Sequence, residues 1–178
     1  MIGETSHRER VLTLALTYGE PPEARFGPQF RYSLSILRRL TRRVAPIPRP
    51  ILPLIALLRG RTRVKTWRKE NFSSPLERIT EEQARSLAAV LRQRDPSREY
   101  DVRVVYEFRP PLLPEVLDGL GANPPDRLLL MPMYLPDSDF TTGISRDDVR
   151  AWERRRGRPF TPTPELVGEF SEDEVVVD

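Results

Sequence analysis

The chain has 178 residues, with 29 Lys and Arg against 26 Asp and Glu, 19 Pro, 9 Gly, one His and no Cys. That length fits one domain with a core of its own. The missing cysteines exclude disulfides, thiolate metal sites and a cysteine nucleophile, and the single His7 excludes a histidine cluster. The net charge of +3 conceals a split: residues 24–69 hold 13 basic and no acidic side chains, which leaves 16 basic against 26 acidic elsewhere. A one-sign block points to an anionic partner, with nucleic acid, an anionic membrane and a polycarboxylate all open at this stage. Only Lys65 and Lys69 are lysines. Arginine's planar fork suits carboxylates, although a GC-rich genome is the simpler source of the bias. The polar N-terminus carries no signal-peptide core, and the longest apolar run, 50–58, is far below the ~20 residues of a membrane span. A soluble, cytoplasmic protein is expected, docked at most on a membrane surface.

In chain order, residues 11–17 (VLTLALT) read as a buried strand, closed by the turn signal at 18–22 (YGEPP). Residues 29–44 place Phe30, Leu34, Leu37 and Leu40 close to helical spacing, with an arginine-rich opposite face. Four prolines within 45–53 argue against continuous helix there. A helical turn at 54–58 and a basic stretch at 59–69 follow. Thr80, with Gln83 three residues on, reads as a capping box that opens a helix over 81–94. Residues 100–108 read as a strand, 112–120 as a short helix, and 127–133 as a buried strand with Pro132 near its end. A helix is expected over 147–156, stopping near Gly157. The remainder is Pro-rich, then acidic, with a small β-like end at 175–177.

Strands alternating with helices predict an α/β fold, a doubly wound parallel sheet of about four strands with helices on both faces. The domain is expected over 1–156, with an Arg/Pro-rich lip at about 38–69 and a tail at 157–178. Ligands of such sheets sit beyond the carboxyl ends of the strands. Those ends are Thr17-Tyr18-Gly19, Glu107-Phe108-Arg109 and Met133-Tyr134-Leu135.

Three segments at these ends carry a resemblance. They are Leu16-Thr17-Tyr18-Gly19-Glu20-Pro21, then Ser74-Pro75-Leu76-Glu77-Arg78-Ile79-Thr80-Glu81-Glu82-Gln83-Ala84, then Leu130-Met131-Pro132-Met133-Tyr134 with Ser138 and Thr141-Thr142-Gly143 following. In order and spacing the chain resembles the N-terminal half of a ferrochelatase over roughly residues 10–149. The resemblance implies a flavodoxin-like, class II chelatase-like sheet and a protein of haem biosynthesis that inserts Fe2+, as substrate, into protoporphyrin or coproporphyrin. No resident cofactor is implied. It implies porphyrin-binding roles for Tyr18, Arg38, Arg39, Ser74, Ser138, Thr141 and Thr142, with Arg42 and Arg43 also near the propionate-facing position. Tyr18 matches the family's residue near the metal and the macrocycle face, and is the candidate metal contact.

The resemblance also gives the basic block a partner, since a porphyrin needs an apolar slot and a few positive groups at its rim. Several positions depart from the family's pattern. Its arginine–tyrosine pair after the second strand reads Glu107 and Phe108 here, and its glycines before Ser74 read Phe72 and Ser73. Its metal-handling histidine and carboxylate belong to the C-terminal half, beyond this chain, so the catalytic residues stay unassigned. Tyr18, Glu20, Glu107, Asp137 and Asp139 are the candidate ligands or bases, and none is marked as a tuned base by sequence.

A complementary half or a homodimer is therefore expected to complete the site. The alternative is a non-catalytic tetrapyrrole-binding relative, a haem carrier or sensor. The lip at 46–58 is the candidate for peripheral membrane contact. Nucleic acid ranks last, because no RNA-module signature accompanies the basic block.

Overall fold

The structure, a computed structural model, describes residues 7–43, 47–121, 123–134 and 142–167. Its elements are β1 (Arg10–Thr17), α1 (Phe26–Arg43), a 3-10 turn at Arg49–Ile51, α2 (Leu52–Lys69), α3 (Leu76–Arg94), β2 (Glu99–Tyr106), α4 (Leu113–Leu120), β3 (Arg127–Pro132), α5 (Thr142–Arg156) and β4 (Glu165–Leu166). All four strands are parallel, in the order β2-β1-β3-β4.

Alternation along β1 explains the layers. Leu12, Leu14 and Leu16 face one way and join Val105, Leu128 and Leu130 in the main core. Leu113, Leu117 and Leu120 of α4 and Trp152 of α5 cover that face. Each such fully buried leucine contributes roughly 1.5–3 kcal/mol. The other face, carrying Thr13 and Ala15, is covered by α3, whose buried positions are the small Thr80, Ala84 and Ala88.

Chain direction reverses at β1. The connection to β2 runs to one edge, and β2 then crosses back to β3 on the other side of β1. The gap between the carboxyl ends of β1 and β3 is therefore a topological switch point, where doubly wound sheets bind ligands.

The acid-free block becomes one helical hairpin, α1 against α2. Leu52, Ala56, Gly60, Val64 and Trp67 form the buried stripe of α2 at near-helical spacing. Gly60 permits the close approach: a Cβ there would sit 3.3 Å from the Phe30 backbone.

Three expectations need correction. The stretch 54–69 is not a turn followed by a basic segment but part of an 18-residue helix, because its apolar stripe continues through the charged residues. The capping box at Thr80 is absent. The first bond of α3 runs from the Ile79 N–H to the Pro75 carbonyl at 2.9 Å, so Thr80 is already interior and its hydroxyl donates back to the Leu76 carbonyl at 2.9 Å. Helix α5 starts at Thr142 rather than 147, since Ile144 and Ser145 are buried. Phe160 is buried in the core, and Glu165–Leu166 pair with β3 as the fourth strand of the sheet. The β-like end at 175–177 lies outside the described residues.

Candidate functional site

The three strand ends are stitched together by the backbone. The Glu107 N–H donates to the Thr17 carbonyl at 2.9 Å, the Phe108 N–H to Tyr18 at 3.3 Å, and the Met133 N–H to Leu16 at 2.9 Å. Gly19 turns the chain away immediately after Tyr18. Its φ is +72°, and a Cβ there would lie 2.6 Å from the Tyr106 Cβ, so only glycine fits.

This arrangement presents an aromatic platform at the switch point. The Tyr18 ring lies 4.6 Å from Tyr134 and stacks on Phe108 at 5.7 Å. Tyr32 of α1 meets Phe108 edge-on at 6.0 Å, and Ile144 packs into the same cluster. A cavity of about 410 Å³ opens beside it, walled by Pro21, Tyr32 and Phe108 with Arg31 and Arg109 at its rim. Apolar walls with a few charged groups are the make-up of a small-molecule site.

Glu107 lies beneath the platform, only 4% exposed. Burial pushes its carboxyl up to about 8, against the opposing pull of the Arg39 guanidinium. Ser145 Oγ stands 3.3 Å from Glu107 Oε1. The Tyr134 hydroxyl is buried beside the Glu107 carboxyl. Burial, followed by the charge of Glu107, raises Tyr18 and Tyr134 above the ordinary phenol value. Tyr32 is pushed up to about 12, chiefly by burial. At neutral pH Tyr18 thus offers a neutral hydroxyl, a weaker metal donor than a phenolate.

The two expected propionate arginines diverge. Arg39 turns toward the platform, with its guanidinium 6.0 Å from the Phe108 ring centroid and Nη1 donating to Asp148 Oδ2 at 2.9 Å. Arg38 is exposed and lines a different cavity, with Leu34, Thr41, Ile47 and Leu52, between α1 and the start of α2.

Ser74 is buried, and its hydroxyl donates to Glu20 Oε2 at 2.6 Å. Glu20 also pairs with Arg63 of α2, whose guanidinium lies over Trp67 and Tyr32. One carboxylate therefore joins the loop after β1, the Ser74 segment and the basic hairpin. Nearby, Arg109 Nε approaches Glu77 Oε1 at 2.6 Å and ties the end of β2 to α3. Thr142 is buried at the start of α5. Ser138, Thr141, Asp137 and Asp139 lie outside the described residues, as do the side chains of Arg42 and Arg43.

His7 is remote from all of this. It is exposed ahead of β1, and its Nε2 lies 3.2 Å from Asp126 at the amino end of the sheet. That is about 25 Å of strand away from Tyr18. Among the described residues no group of three or more acidic or histidine side chains is arranged to hold a metal ion.

Sequence reasoning reached the platform through the strand ends, which include Tyr18, Phe108 and Tyr134. It left Tyr32 and Arg63 out, because no local motif marks either.

The comparisons with known proteins bear on the same region. The sequence profile described as Ferrochelatase matches residues 14–177. A ferrochelatase of Synechococcus elongatus is 31% identical over 150 residues, covering 84% of this chain and 38% of that protein. One from Phenylobacterium zucineum is 34% identical over 105 residues, or 59% of this chain and 30% of its own length. One from Prochlorococcus marinus is 30% identical over 144 residues, with 79% and 36% covered. The chain thus spans between 30% and 38% of these relatives' lengths.

Proposed function

Because the chain belongs to the ferrochelatase family, we propose that it forms the porphyrin-facing portion of a ferrochelatase-type site that inserts Fe2+ into protoporphyrin or coproporphyrin. The observation that carries this reading is the aromatic platform of Tyr18, Phe108 and Tyr134 at the β1/β3 gap, with an arginine-rich hairpin beside it. The macrocycle rests on the aromatic faces, and its propionates reach the guanidinium groups at the rim. Arg31 is exposed at the cavity beside Tyr32 and makes no ion pair among the described residues, which leaves it available to a carboxylate.

Metal insertion needs two pyrrole protons removed and ligands for the incoming ion. A complementary half or a second subunit completes the site. The outer face of α2, with Leu54 and Leu58 exposed near Arg59 and Arg61, is the surface on which the protein rests against an anionic membrane. No helix among the described residues is long and apolar enough to cross one.

The remoteness of His7 favours a second reading, a tetrapyrrole carrier or sensor without insertion activity. Titration with coproporphyrin and with haem, followed at the Soret band, tests binding. Zinc insertion, assayed with and without a candidate partner chain, tests catalysis. Saturable binding with insertion in the presence of the partner is expected. Binding without insertion in any combination supports the carrier, and no saturable binding overturns both.

A further inference from the structure

We propose that Arg63 is a positioning residue of the aromatic platform: its guanidinium fixes the Tyr32 ring relative to the loop that carries Tyr18, and so governs how tightly a porphyrin is held without touching it. The inference rests on the porphyrin-binding reading above and adds a residue role to it.

Arg63 sits where two parts of the molecule meet. The acid-free hairpin packs chiefly on itself, α1 against α2. Among the described residues two ion pairs tie it to the rest of the domain, Arg39 to Asp148 of α5 and Arg63 to Glu20 in the loop after β1. Glu20 directly follows Gly19, the residue that turns the chain away from Tyr18. A group held by Glu20 is therefore held two residues from the Tyr18 ring. Glu20 is itself fixed, because the Ser74 hydroxyl donates to its other oxygen at 2.6 Å.

A guanidinium suits this junction. Its edge donates to a carboxylate while its flat face packs on rings. Arg63 does both at once: it pairs with Glu20, and its guanidinium carbon lies 5.8 Å from the Tyr32 ring centroid and 4.9 Å from that of Trp67. A lysine ammonium could keep the ion pair but has no plane to lay against the rings.

Tyr32 passes the constraint toward the ligand. It is buried on α1, meets Phe108 edge-on at 6.0 Å, and walls the cavity beside the platform with Pro21 and Phe108. Arg63 is not among the residues that wall this cavity, so it acts through the ring. A purely structural Arg63 would lose stability when substituted and leave affinity unchanged in any variant that still folds. A positioning Arg63 loses affinity in a folded variant, and loses it by way of Tyr32.

Coproporphyrin titration at the Soret band separates these outcomes, on proteins shown to be folded by far-UV circular dichroism and urea midpoint. Arg63→Lys should bind roughly fivefold more weakly than wild type. Glu20→Gln keeps an acceptor for Ser74 and removes the charge that holds Arg63, so it should reproduce that loss. Tyr32→Leu should weaken binding at least as much. The double variant of Arg63→Lys and Tyr32→Leu should be no weaker than Tyr32→Leu alone, because the first effect runs through the second residue. Arg156 is the control. It too pairs with a carboxylate, Asp118, and lies 5.8 Å from the ring of a tryptophan, Trp152, but it ends α5 roughly three turns beyond Ser145. Arg156→Lys should bind as the wild type does. Wild-type affinity in folded Arg63→Lys or Glu20→Gln, losses that multiply in the double variant, or an equal loss in Arg156→Lys would each overturn the positioning role while the porphyrin site stands. If the wild type shows no saturable binding, the site itself falls, and the role with it.

Discussion

The rings of Tyr18 and Tyr134 lie 4.6 Å apart across the gap between β1 and β3, tilted by 35°. These two residues follow strands adjacent in space but more than a hundred positions apart in sequence. Their contact is therefore a product of the parallel pairing that sets Leu16 opposite Pro132. On the porphyrin-binding reading it also sets where a flat ligand would meet the sheet. Removing the Tyr18 ring should cost the ligand a stacking surface worth about 1 kcal/mol, which is roughly fivefold in affinity. Coproporphyrin titration of Tyr18→Ala should show that loss. Tyr18→Phe keeps the ring and should bind within about twofold of wild type. Equal losses in both variants would mean that the hydroxyl, not the ring, makes the contact.

A second expectation concerns stability against pH. The Glu107 carboxyl sits near 8 in the folded protein against an ordinary value of 4.5. Between those two values the folded state holds a proton that the unfolded chain has already lost. Protons therefore favour the fold, and stability should fall as pH rises through this window, by on the order of a few kcal/mol. Above the folded value the contribution stays at its least favourable. Glu107→Gln lacks this term and should be the more stable protein at alkaline pH. Urea unfolding of both proteins between about pH 5 and about pH 9 measures the difference in slope. Parallel slopes would show that Glu107 ionises in an ordinary way.

Arg39 and Arg38 should separate cleanly. Arg39 is half-buried and paired with an equally shielded Asp148, so Arg39→Ala strands that carboxylate beside Glu107 and should destabilise by about 1–3 kcal/mol. It also removes the cation that pulls the Glu107 carboxyl down, so the loss of stability with rising pH should extend to higher pH. Arg38 is exposed and in no ion pair among the described residues, and Arg38→Ala should stay within about 0.5 kcal/mol of wild type. Urea midpoints for the two variants decide the matter.

The contrast between these arginines marks the limit of what sequence conveys. The first strand end was legible, because it follows an apolar run and precedes a turn signal. Adjacent positions on one helix point about 100° apart, and no local pattern says which of Arg38 and Arg39 meets a helix more than a hundred residues later. The burial of Glu107 was hidden for a similar reason. A glutamate at the end of a strand reads as solvated, and here Ser145 and Ile144 of α5, with the tyrosine rings, close over it. The start of α3 misled differently. Thr80 to Gln83 satisfies the spacing of a capping box, but Pro75 had already set the chain on a helical path five residues earlier.

The last prediction concerns the junction that the Ser74 segment makes. Glu20 accepts from the buried Ser74 hydroxyl and pairs with Arg63, whose guanidinium lies over the Trp67 and Tyr32 rings. It is the one carboxylate among the described residues shown joining α2 to the loop after β1. Replacing it by alanine leaves the Arg63 guanidinium without its anion and the buried Ser74 hydroxyl without its acceptor. Glu20→Ala should therefore destabilise by about 2–4 kcal/mol, more than an exposed pair costs. The loss should be uneven. Amide exchange should accelerate in α1 and α2, whose main attachment to the sheet end is weakened, and stay near wild type in β1 and β3, which are held by ladder bonds and the leucine core. Ser74→Ala removes one hydrogen bond and keeps the ion pair, so it should cost only about 1 kcal/mol and leave exchange in α2 little changed. Uniform acceleration across helices and strands in Glu20→Ala would show that the junction supports the whole domain rather than the docking of the hairpin.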